Sequence, residues 1–421
     1  MSERILLCLA HMSGKEMDFI KEAFDQNWVV PLGPNVNGFE KDLEEFVNGR
    51  EGAAPLDKKV VALSAGTAAV HLALIACGVK AGDEVIVQSF TFCASSHPVT
   101  YLGATPVFVD SEKDTWNMDP ELLEEAIKDR IAKTGRKPKA IVPVALYGMP
   151  YNITKIMEIA NRYEIPVVED AAEGFGSRFN GQVLGTFGKY GVLSFNGNKM
   201  ITTSGGGALI CADDEAKKQI MWYATQARES YPYYQHEAIG YNYRMSNICA
   251  GIGRGQMTVV DEHIAHHRHV QALYKELLKD VKGITLHEAP SPEYDSNYWL
   301  CTATLDSDLK IKGQDKAYAE VITGAVGGAA GVTHATKSAH TALEPNANVE
   351  AMRMFLGAAG IESRPLWKPM HCQPVYKDAP AYTNGVSESL FRVGICLPAG
   401  PWVTDDHVRY IVDKIKAAIE L

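Results

Sequence analysis

Short apolar runs alternate with segments of helical periodicity between about residues 60 and 210. This alternation is typical of an α/β fold, in which helices cover both faces of a sheet. The runs contain few polar positions, which predicts strands buried on both faces and therefore a mostly parallel sheet. The predicted strands are VVAL (60–63), EVIVQS (84–89), PVFVD (106–110), AIVPVAL (140–146), PVVED (166–170), GVLSF (191–195) and GALIC (207–211).

Helical patterns lie between these strands and continue beyond them. Asp119 followed by Pro120 pairs a capping side chain with a proline suited to a first turn, and NITKIMEIANRYE (152–164) has helical periodicity. A longer helical pattern runs from about Ser246 to Asp280, and a last helix is predicted from about Asp405.

The character of the chain changes after GITLHEAPSP (283–292), where NYWLCTATL (297–305) is strand-like. We therefore predict a large domain over residues 1–282 and a smaller C-terminal domain over residues 283–421. Within the smaller domain, residues 310–345 include a stretch rich in Ala, Gly and Thr without a clear period. This segment is interpreted as an insertion or a mobile loop.

One segment without charged residues, VVALSAGTAAVHLALIACGV (60–79), has about the length of a membrane span. Ser64, Gly66, Thr67 and His71 interrupt it, and SAGT favours a turn between a buried strand and a buried helix. The segment is therefore interpreted as core, and no membrane association is expected.

Composition narrows the class of protein. The chain has 421 residues, of which 46% are hydrophobic and 22% charged, and its net charge of −10 argues against a broad surface for nucleic acid or anionic lipid. Its eight cysteines are scattered without a CxxC pair, so neither a zinc ribbon nor a disulfide framework is indicated, and no metal site is expected. Buried thiols in a reducing cytosol, and hence a cytoplasmic location, are the expectation.

Ligands of α/β sheets gather at the carboxyl ends of the strands, so the residues that follow each strand are informative. After VVAL, Ser64–Thr67 leads into a helix whose first N–H groups suit an anion such as phosphate, although a glycine there also suits a plain turn. After EVIVQS comes Phe92, which could cover a planar ring or pack in the core.

Carboxylates and a lysine follow two later strands. After PVV come Glu169, Asp170 and Glu173, which should face a cation or a protonated heterocycle, although Asp170 could equally cap the next helix. Ser194 lies near the end of the predicted strand GVLSF, and Lys199 lies five residues later, within SFNGNKMITTSGGG.

An anion site, a ring-covering aromatic, a carboxylate and a lysine amine together match the needs of pyridoxal phosphate. Its aldehyde forms a Schiff base with lysine, and its protonated ring accepts electrons when bonds at the substrate carbon are remodelled. An ionised Asp170 would keep the ring nitrogen protonated. The combination is more specific than any of its members.

Six motifs, SAGTAAVHLAL, GDEVIVQSFTF, GATPVFVD, EDAAEGFGS, SFNGNKMITTSGGG and GYNYRMSN, have the order and spacing of the DegT/DnrJ/EryC1/StrS sugar-nucleotide aminotransferases. The chain resembles this family from HMSGKEMDFI near its start to RVGICLPAG near its end. The resemblance implies a fold-type I pyridoxal phosphate-dependent transferase, like aspartate aminotransferase, with a large, mostly parallel α/β domain and a smaller C-terminal α+β domain. It leaves residues 310–345 unexplained.

The resemblance also implies roles for individual residues. By position in the motifs, Lys199 resembles the lysine that forms the Schiff base and acts as general acid and base, and Asp170 resembles the partner of the pyridinium nitrogen. The other implied cofactor contacts are Gly66, Thr67 and Ser194 at the phosphate, Phe92 on the ring, Glu173 near the ring hydroxyl, and Asn242 at the phosphate of the neighbouring subunit. Asn242 thus implies a homodimer with shared active sites.

The glycine tract after Lys199 departs from the family pattern. Many relatives carry a glutamate there, as TGEGG, whereas this chain reads TTSGGG. Together with PLGPNVNGFE (31–40) and RPLWKPMH (364–371), this tract resembles enzymes that aminate C4 of UDP-4-keto-6-deoxy-N-acetylglucosamine on the route to bacillosamine-type sugars. The implied reaction takes the amino group from L-glutamate.

Substrate contacts are implied at both ends of the chain, with residues 1–40 contributing to the site. Side chains suited to a nucleotide diphosphate are His11, Asn27, Trp28, Arg364, Trp367, Lys368 and His371. Each could instead be structural, and residue type alone favours a core position for Trp367.

Two other functions stay open at this point. A pyridoxal phosphate-dependent sugar dehydratase, a lyase on the same scaffold, typically replaces the lysine by histidine, so Lys199 counts against it. A catalytically idle, cofactor-binding regulatory paralogue would act through its dimer surface, and the full cofactor constellation would then be superfluous.

Two further patterns invite a ligand interpretation. His263 and His267 in DEHIAHHRH have a spacing that suits zinc, but a solvated or dimer-contact helix face is preferred because no third ligand is evident. Gly251, Gly253 and Gly255 resemble a dinucleotide fingerprint without the preceding strand it requires, so we predict close helix packing instead.

Overall fold

The computed structural model describes residues 4–49, 52, 54–318 and 343–420. The helices in these ranges are α1 Glu16–Asp25, α2 Pro34–Asn48, α3 Gly66–Ala76, α4 His97–Tyr101, α5 Pro120–Thr134, α6 Ile153–Tyr163, α7 Asp214–Ala224, α8 Asn247–Met257, α9 Val260–Leu278, α10 Ala347–Ala358, α11 Val386–Val393 and α12 Asp405–Ala418. The strands are β1 Lys59–Leu63, β2 Glu84–Gln88, β3 Thr105–Val109, β4 Ile141–Val142, β5 Val168–Asp170, β6 Arg178–Phe179, β7 Gln182–Val183, β8 Tyr190–Ser194, β9 Gly207–Cys211, β10 Ile284–Leu286, β11 Tyr294–Asp295, β12 Cys301–Leu305, β13 Arg364–Pro365, β14 Ala381–Tyr382 and β15 Gly394–Leu397.

A large sheet forms from two ladders with the strand orders β1-β9-β8-β5 and β14-β3-β2-β4. Parallel bridges from Ile141 to Val167 and from Val144 to Asp170 join the ladders between β4 and β5. Only the pairings of β9 with β1 and β8 are antiparallel in these two ladders. The prediction of a mostly parallel α/β sheet is confirmed.

Helices cover both faces of this sheet because successive strand residues point to opposite sides. In β1, Val60 and Ala62 join the hydrophobic cluster that contains α2, whereas Val61 and Leu63 join the cluster that contains α3. The charge-free segment 60–79 therefore forms a buried strand and a buried helix, as predicted. None of the helices in the described ranges has the length and apolar character needed to span a bilayer.

A second sheet has the strand order β10-β12-β15-β13 and is antiparallel throughout. Its core includes residues of α9, α10 and α12. The chain between β13 and α11 returns to the large sheet, where Met370 and Tyr376 pack in its core and β14 pairs in parallel with β3. The division into domains at residue 282 stays a prediction, and residues 319–342 of the proposed insertion lie outside the described residues.

Three predicted elements are shorter than predicted or are broken in two. The strand predicted over 140–146 stops at Val142, because Pro143 has no N–H for a ladder and the chain then turns through Leu146–Gly148. The strand predicted over 297–305 begins only at Cys301, after Tyr298 adopts a left-handed conformation with φ 48°. The long helix predicted from Ser246 is two helices, α8 and α9, separated at Thr258 and Val259.

The glycines of α8 permit the close helix packing that was predicted. A Cβ atom at Gly253 would lie 2.7 Å from the ring of Phe39 in α2, and one at Gly255 would lie 2.7 Å from the backbone nitrogen of Glu16 in α1. Side chains at these positions would push α1 and α2 away, so the glycines let both N-terminal helices pack closely on α8.

Candidate active site

A cavity of about 240 Å³ lies at the carboxyl ends of β1, β2, β5 and β8, and we call it the central cavity. Of the predicted site residues, it gathers Gly66, Thr67, Phe92, Asp170, Glu173, Ser194, Lys199 and Trp367. Its lining also includes Ser64, Thr91, Ser95, Asn196, Asn198 and Trp299. Residues from separate strand ends thus meet at one place, as expected for an α/β sheet.

One end of the central cavity is formed by the first turn of α3. Ala65 caps this helix without a side-chain hydrogen bond, so the first N–H groups stay available to a ligand. A Cβ atom at Gly66 would lie 3.1 Å from Cβ of Ser194, which shows how closely β8 approaches the helix. Backbone N–H groups, the positive end of the helix dipole and the Thr67 and Ser194 hydroxyls make this end suitable for a phosphate.

Asp170 lies on the floor of the cavity and is only 5% exposed. Oδ2 accepts a 2.6 Å hydrogen bond from the Ser95 hydroxyl, and Oδ1 accepts a 3.1 Å bond from the backbone N–H of Ala172. Burial raises the pKa of Asp170, while these hydrogen bonds and the charge of Lys199 act against the rise. The ionised carboxylate is therefore suited to pairing with a buried cation.

Glu169 precedes Asp170 but points away from the cavity, since neighbouring strand residues alternate in direction. Its carboxylate accepts hydrogen bonds from the backbone N–H groups of Gly185 at 3.0 Å, Phe187 at 2.6 Å and Gly188 at 2.5 Å. Glu169 therefore fixes the loop before β8, and of the strand-end carboxylates only Asp170 and Glu173 line the cavity.

The Lys199 amine is held inside the cavity by two contacts. Nζ lies 3.5 Å from Oε1 of Glu173 and 4.1 Å from the ring centroid of Trp299. Trp299 is itself fixed, because its Nε1–H donates a 2.7 Å hydrogen bond to the carbonyl of Asn198. A carboxylate and an aromatic face thus direct the amine to one position.

Glu173 also connects the lysine to an aromatic stack. Its Oε2 accepts a 2.7 Å hydrogen bond from the backbone N–H of Tyr147, a residue with φ 53°. The Tyr147 ring is stacked with Trp299 at 6.5 Å and with Trp367 at 6.3 Å, and its hydroxyl accepts the backbone N–H of Trp367 at 2.8 Å. A left-handed conformation at a bulky residue is strained, and here it places a backbone donor on Glu173.

Phe92 and Trp367 form the opposite wall, with ring centroids 5.4 Å apart. The Phe92 ring is half exposed, so it can cover a planar ligand rather than serve only as core. Beyond this wall a second pocket contains Lys368 together with Cys93, His97 and Met370. Trp367 therefore separates two pockets, and the structural interpretation of it as a core residue is only partly right.

The remaining predicted residues do not line the central cavity. His11, Asn27 and Asn242 are exposed, Trp28 is 38% exposed, Arg364 pairs with Glu362 at 2.9 Å, and the His371 ring lies between Ser89 and Glu388. Their roles at a substrate or in a neighbouring subunit stay predictions.

Three of the four histidines of α9 contact different backbone carbonyls, and the fourth, His269, pairs with the Asp405 carboxylate at 2.7 Å. His263 contacts Met200, His266 contacts Val403, and His267 contacts Tyr298. His263 and His267 are buried, so the predicted solvated face is wrong for these two rings, which pack against other parts of the chain. They belong to no candidate metal cluster among the described residues.

Ser95, Tyr147 and Trp299 were not predicted as site residues. Ser95 lies three residues after the QSFTF motif, and this position shortly after the carboxyl end of β2 is the feature of the sequence that marks it as a possible site residue. Tyr147 directly follows the predicted strand 140–146, and Trp299 falls in the predicted strand 297–305. The left-handed conformations of Tyr147 and Tyr298 place these two rings at the cavity.

The model of the DegT/DnrJ/EryC1/StrS aminotransferase family matches residues 11–320 and 328–416. The chain is 41% identical to the Bacillus subtilis protein named "Putative pyridoxal phosphate-dependent aminotransferase EpsN", over 99% of this chain and 96% of that protein. It is 32% identical to the GDP-perosamine synthase of Escherichia coli O157:H7, over 96% of this chain and 95% of that enzyme. A DegT DnrJ EryC1 StrS aminotransferase structure from Brucella abortus superposes with a TM-score of 0.80 at 27% identity, covering 96% of this chain and 95% of that one.

The central cavity fits pyridoxal phosphate, the cofactor of this family. An open helix N-terminus faces one end, a buried carboxylate lies on the floor, and a lysine amine projects from the turn after β8. The tight approach at Gly66 leaves the phosphate end free of side-chain bulk. On this match and this geometry, the chain belongs to the DegT/DnrJ/EryC1/StrS family of pyridoxal phosphate-dependent sugar aminotransferases.

Proposed function

We propose that the protein transfers the amino group of L-glutamate to C4 of UDP-4-keto-6-deoxy-N-acetylglucosamine. The observation that carries the aminotransferase reaction is the Lys199 amine inside the central cavity, 3.5 Å from Glu173. A dehydratase of the typical kind has histidine at this position, so the lysine favours amino transfer. The choice of sugar is supported by the motifs TTSGGG, PLGPNVNGFE and RPLWKPMH.

The cavity residues divide the binding of the cofactor between them. These residues line the cavity, where Gly66, Thr67 and Ser194 would bind the phosphate, Phe92 would cover the ring, Glu173 would face the ring hydroxyl and Asp170 would pair with the ring nitrogen. Bound pyridoxal phosphate supplies an electron sink that stabilises negative charge at the carbon carrying the amino group. The Asp170 carboxylate, which Ser95 holds through a hydrogen bond, would preserve this property by keeping the ring nitrogen protonated.

Lys199 performs the proton transfers. Its Nζ would take the proton from Cα of L-glutamate and give it to the cofactor in the first half-reaction, and would take a proton from the cofactor and give it to the sugar carbon in the second. Glu173 and the Trp299 ring both attract the protonated amine, so they keep Nζ in the cavity while it carries the proton. The aromatic wall of Phe92 and Trp367 limits the access of water to this position.

The proposed enzyme is a homodimer with shared active sites. Asn242 is exposed and outside the cavity of its own chain, which suits a contact with the neighbouring subunit's cofactor phosphate. Large apolar side chains are exposed around α1 and in the segment before Asn242, including Met17, Phe24, Leu32 and Ile239. Such exposure is typical of surfaces that a second copy covers.

A mixing experiment tests the shared sites. Homodimers of Asn242→Ala and homodimers of Lys199→Ala should each be inactive. A hybrid dimer with one subunit of each kind should have up to about half of the wild-type activity, because one of its two sites contains both Lys199 and Asn242. Light scattering checks the dimer directly. Hybrids without any regained activity would show that Asn242 serves its own chain or none.

A GDP-linked keto sugar is the second candidate substrate. The GDP-perosamine synthase relative is 32% identical over 96% of this chain, so the same scaffold accepts a GDP-linked sugar in that relative.

The free state of all eight cysteines in the structure supports the cytoplasm as the location of the reaction.

The deciding experiment is a panel of UDP-, GDP- and dTDP-linked 3-keto and 4-keto sugars with L-glutamate. Release of 2-oxoglutarate reports turnover, and Lys199→Ala holoenzyme is the negative control. We expect the highest kcat/KM with UDP-4-keto-6-deoxy-N-acetylglucosamine. A preference of about tenfold or more for another sugar would replace the proposed substrate, and 2-oxoglutarate release by Lys199→Ala would contradict the role of the lysine.

A further inference from the structure

Three metal-binding side chains of different chemistry meet outside the central cavity. His371 and Cys372 lie in the 3₁₀ turn Met370–Cys372, and Glu388 lies in the first turn of α11. One ligand atom from each residue lies within 4.8 Å of the others. The group is half buried at the contact between this turn and α11, and does not belong to the lining of the central cavity.

The separation of the histidine and the glutamate matches a metal site. Nε2 of His371 lies 3.3 Å from Oε1 of Glu388. Two ligands bound tetrahedrally to zinc at about 2.1 Å are about 3.4 Å apart. The two atoms therefore already have the spacing of neighbouring zinc ligands.

The imidazole ring is fixed from its other side. Nδ1 of His371 lies 2.6 Å from the hydroxyl of buried Ser89, and the backbone N–H of His371 donates to the same hydroxyl oxygen at 3.1 Å. The backbone N–H of Met370 donates to the Ser89 carbonyl at 2.8 Å. Metal-binding histidines typically have such a polar partner at the second nitrogen, which orients the first nitrogen toward the ion.

The Cys372 thiol is the third ligand atom of this group. Its thiol makes no hydrogen bond to another described residue, and burial above all raises its pKa to about 11, with Glu388 and Asp110 adding to the rise and Lys368 and Arg392 opposing it. Zinc lowers the pKa of a coordinating thiol, whose proton is released to solvent on binding. Asp110 does not compete for the ion, because its carboxylate already accepts the N–H groups of Ser111, Asn384, Gly385 and Ser387.

We propose that His371, Cys372 and Glu388 form a divalent transition-metal site, with zinc as the best-matched ion and water as the fourth ligand. The nitrogen, sulfur and oxygen donors are those zinc prefers. The inference departs from the expectation of no metal site, because His371 and Cys372 are adjacent in sequence and Glu388 is remote, so no spacing motif marks them.

The site would link two parts of the chain that border the active site. Ser89 follows β2 directly and precedes Phe92, while His371 follows Trp367. The ion would therefore connect α11 to both chain segments that carry the aromatic wall of Phe92 and Trp367. Bound zinc should therefore raise the melting temperature of the holoenzyme.

The test uses holoenzyme treated with a chelator and then titrated with zinc chloride. We expect one tightly bound zinc ion per chain by calorimetry, and X-ray absorption at the zinc edge should show one sulfur ligand at about 2.3 Å. Cys372→Ser should remove the sulfur signal and weaken binding about 10- to 100-fold. Glu388→Gln should weaken binding while retaining the sulfur, which provides a second variant at a partly exposed position.

Cys93→Ser is the matched control, because Cys93 is also half buried and lies in the pocket that contains Lys368 and Met370. It should leave zinc affinity and the sulfur signal unchanged. The proposal is overturned if wild-type holoenzyme binds no stoichiometric zinc, if the sulfur signal persists in Cys372→Ser, or if it disappears in Cys93→Ser. A failure of the protein to aminate any of the keto sugars would not change these zinc measurements, so the metal site and the proposed reaction are tested separately.

Discussion

The Ser95 hydroxyl donates a 2.6 Å hydrogen bond to the buried carboxylate of Asp170. Ser95 is in turn 2.8 Å from the Thr91 hydroxyl, so the loop after β2 supports the floor of the cavity. This contact explains how a carboxylate that burial disfavours can stay ionised beside a cationic ligand.

Replacing Ser95 by Ala should reduce kcat/KM for amino transfer about 10- to 100-fold, because a hydrogen bond to a charged group contributes about 1.5–3 kcal/mol. Steady-state kinetics with L-glutamate measure the effect. Ser96→Ala removes the neighbouring buried hydroxyl, which donates to the Cys93 carbonyl, and serves as the control. Equal losses in the two variants would assign the effect to packing.

Asp170→Asn should stabilise the cofactor-free protein and impair the holoenzyme. Burial raises the pKa of Asp170 in the folded state, so its stabilising contribution is complete below the unfolded-state pKa and is lost as pH rises through the folded-state pKa. At pH 7 the ionised group therefore destabilises the empty fold, and Asn removes this cost. Thermal unfolding should show a higher Tm for the variant at pH 7 and a vanishing difference near pH 3, while amino transfer falls by about 100-fold or more.

Trp299 should contribute through its ring face. Trp299→Leu removes the contact at 4.1 Å from Lys199 Nζ and should lower kcat about 2- to 30-fold, as expected for a cation–π contribution of about 0.5–2 kcal/mol. Trp299→Phe keeps an aromatic face but loses the bond to Asn198, so its loss should be smaller. Trp116→Phe, at a tryptophan stacked on His287, is the control, and unchanged kinetics in Trp299→Leu would contradict the ring's role.

The glycine tract offers a matched pair of substitutions. A Cβ atom at Gly207 would lie 2.3 Å from the backbone nitrogen of Gly66, whereas one at Gly205 would meet nothing within 4 Å. Gly207→Ala should therefore destabilise the protein by about 1–3 kcal/mol and weaken cofactor retention, whereas Gly205→Ala should leave the stability unchanged. Thermal melts and the cofactor content after gel filtration measure both effects. Similar behaviour of the two variants would mean that β9 can shift away from α3.

Local periodicity was sufficient for most of the large sheet and for the residues that directly follow its strands. VVAL and GALIC are recognisable because a strand buried on both faces leaves a continuous apolar run. Asp170 is the last residue of β5, and Lys199 lies five residues after the end of β8, so both are close to such runs. The same criterion misplaced Trp299, because a turn at Tyr298 is set by contacts with distant residues and not by the apolar pattern. Long-range pairs such as Ser95 with Asp170 leave no mark in a local window for the same reason.

The short strand β14 also could not be predicted, because two residues carry no period. It pairs with Phe108 and Val109 of β3 although it belongs to the C-terminal part of the chain. Met370 and Tyr376, in the preceding segment, similarly enter the core of the large sheet. The boundary predicted at residue 282 rests on a local change in the sequence pattern, which carries no information about later segments that pack against the large sheet.

The position of β14 has a consequence for biosynthesis. During translation β3 emerges early, and its outer edge keeps unpaired N–H and C=O groups until Ala381 and Tyr382 are made. The exposed strand edge can therefore pair with other chains for most of elongation, and the native pairing of β3 forms only after Ala381 and Tyr382 are made. A ribosome that stops before this point would release a chain prone to edge-to-edge aggregation rather than a smaller stable domain.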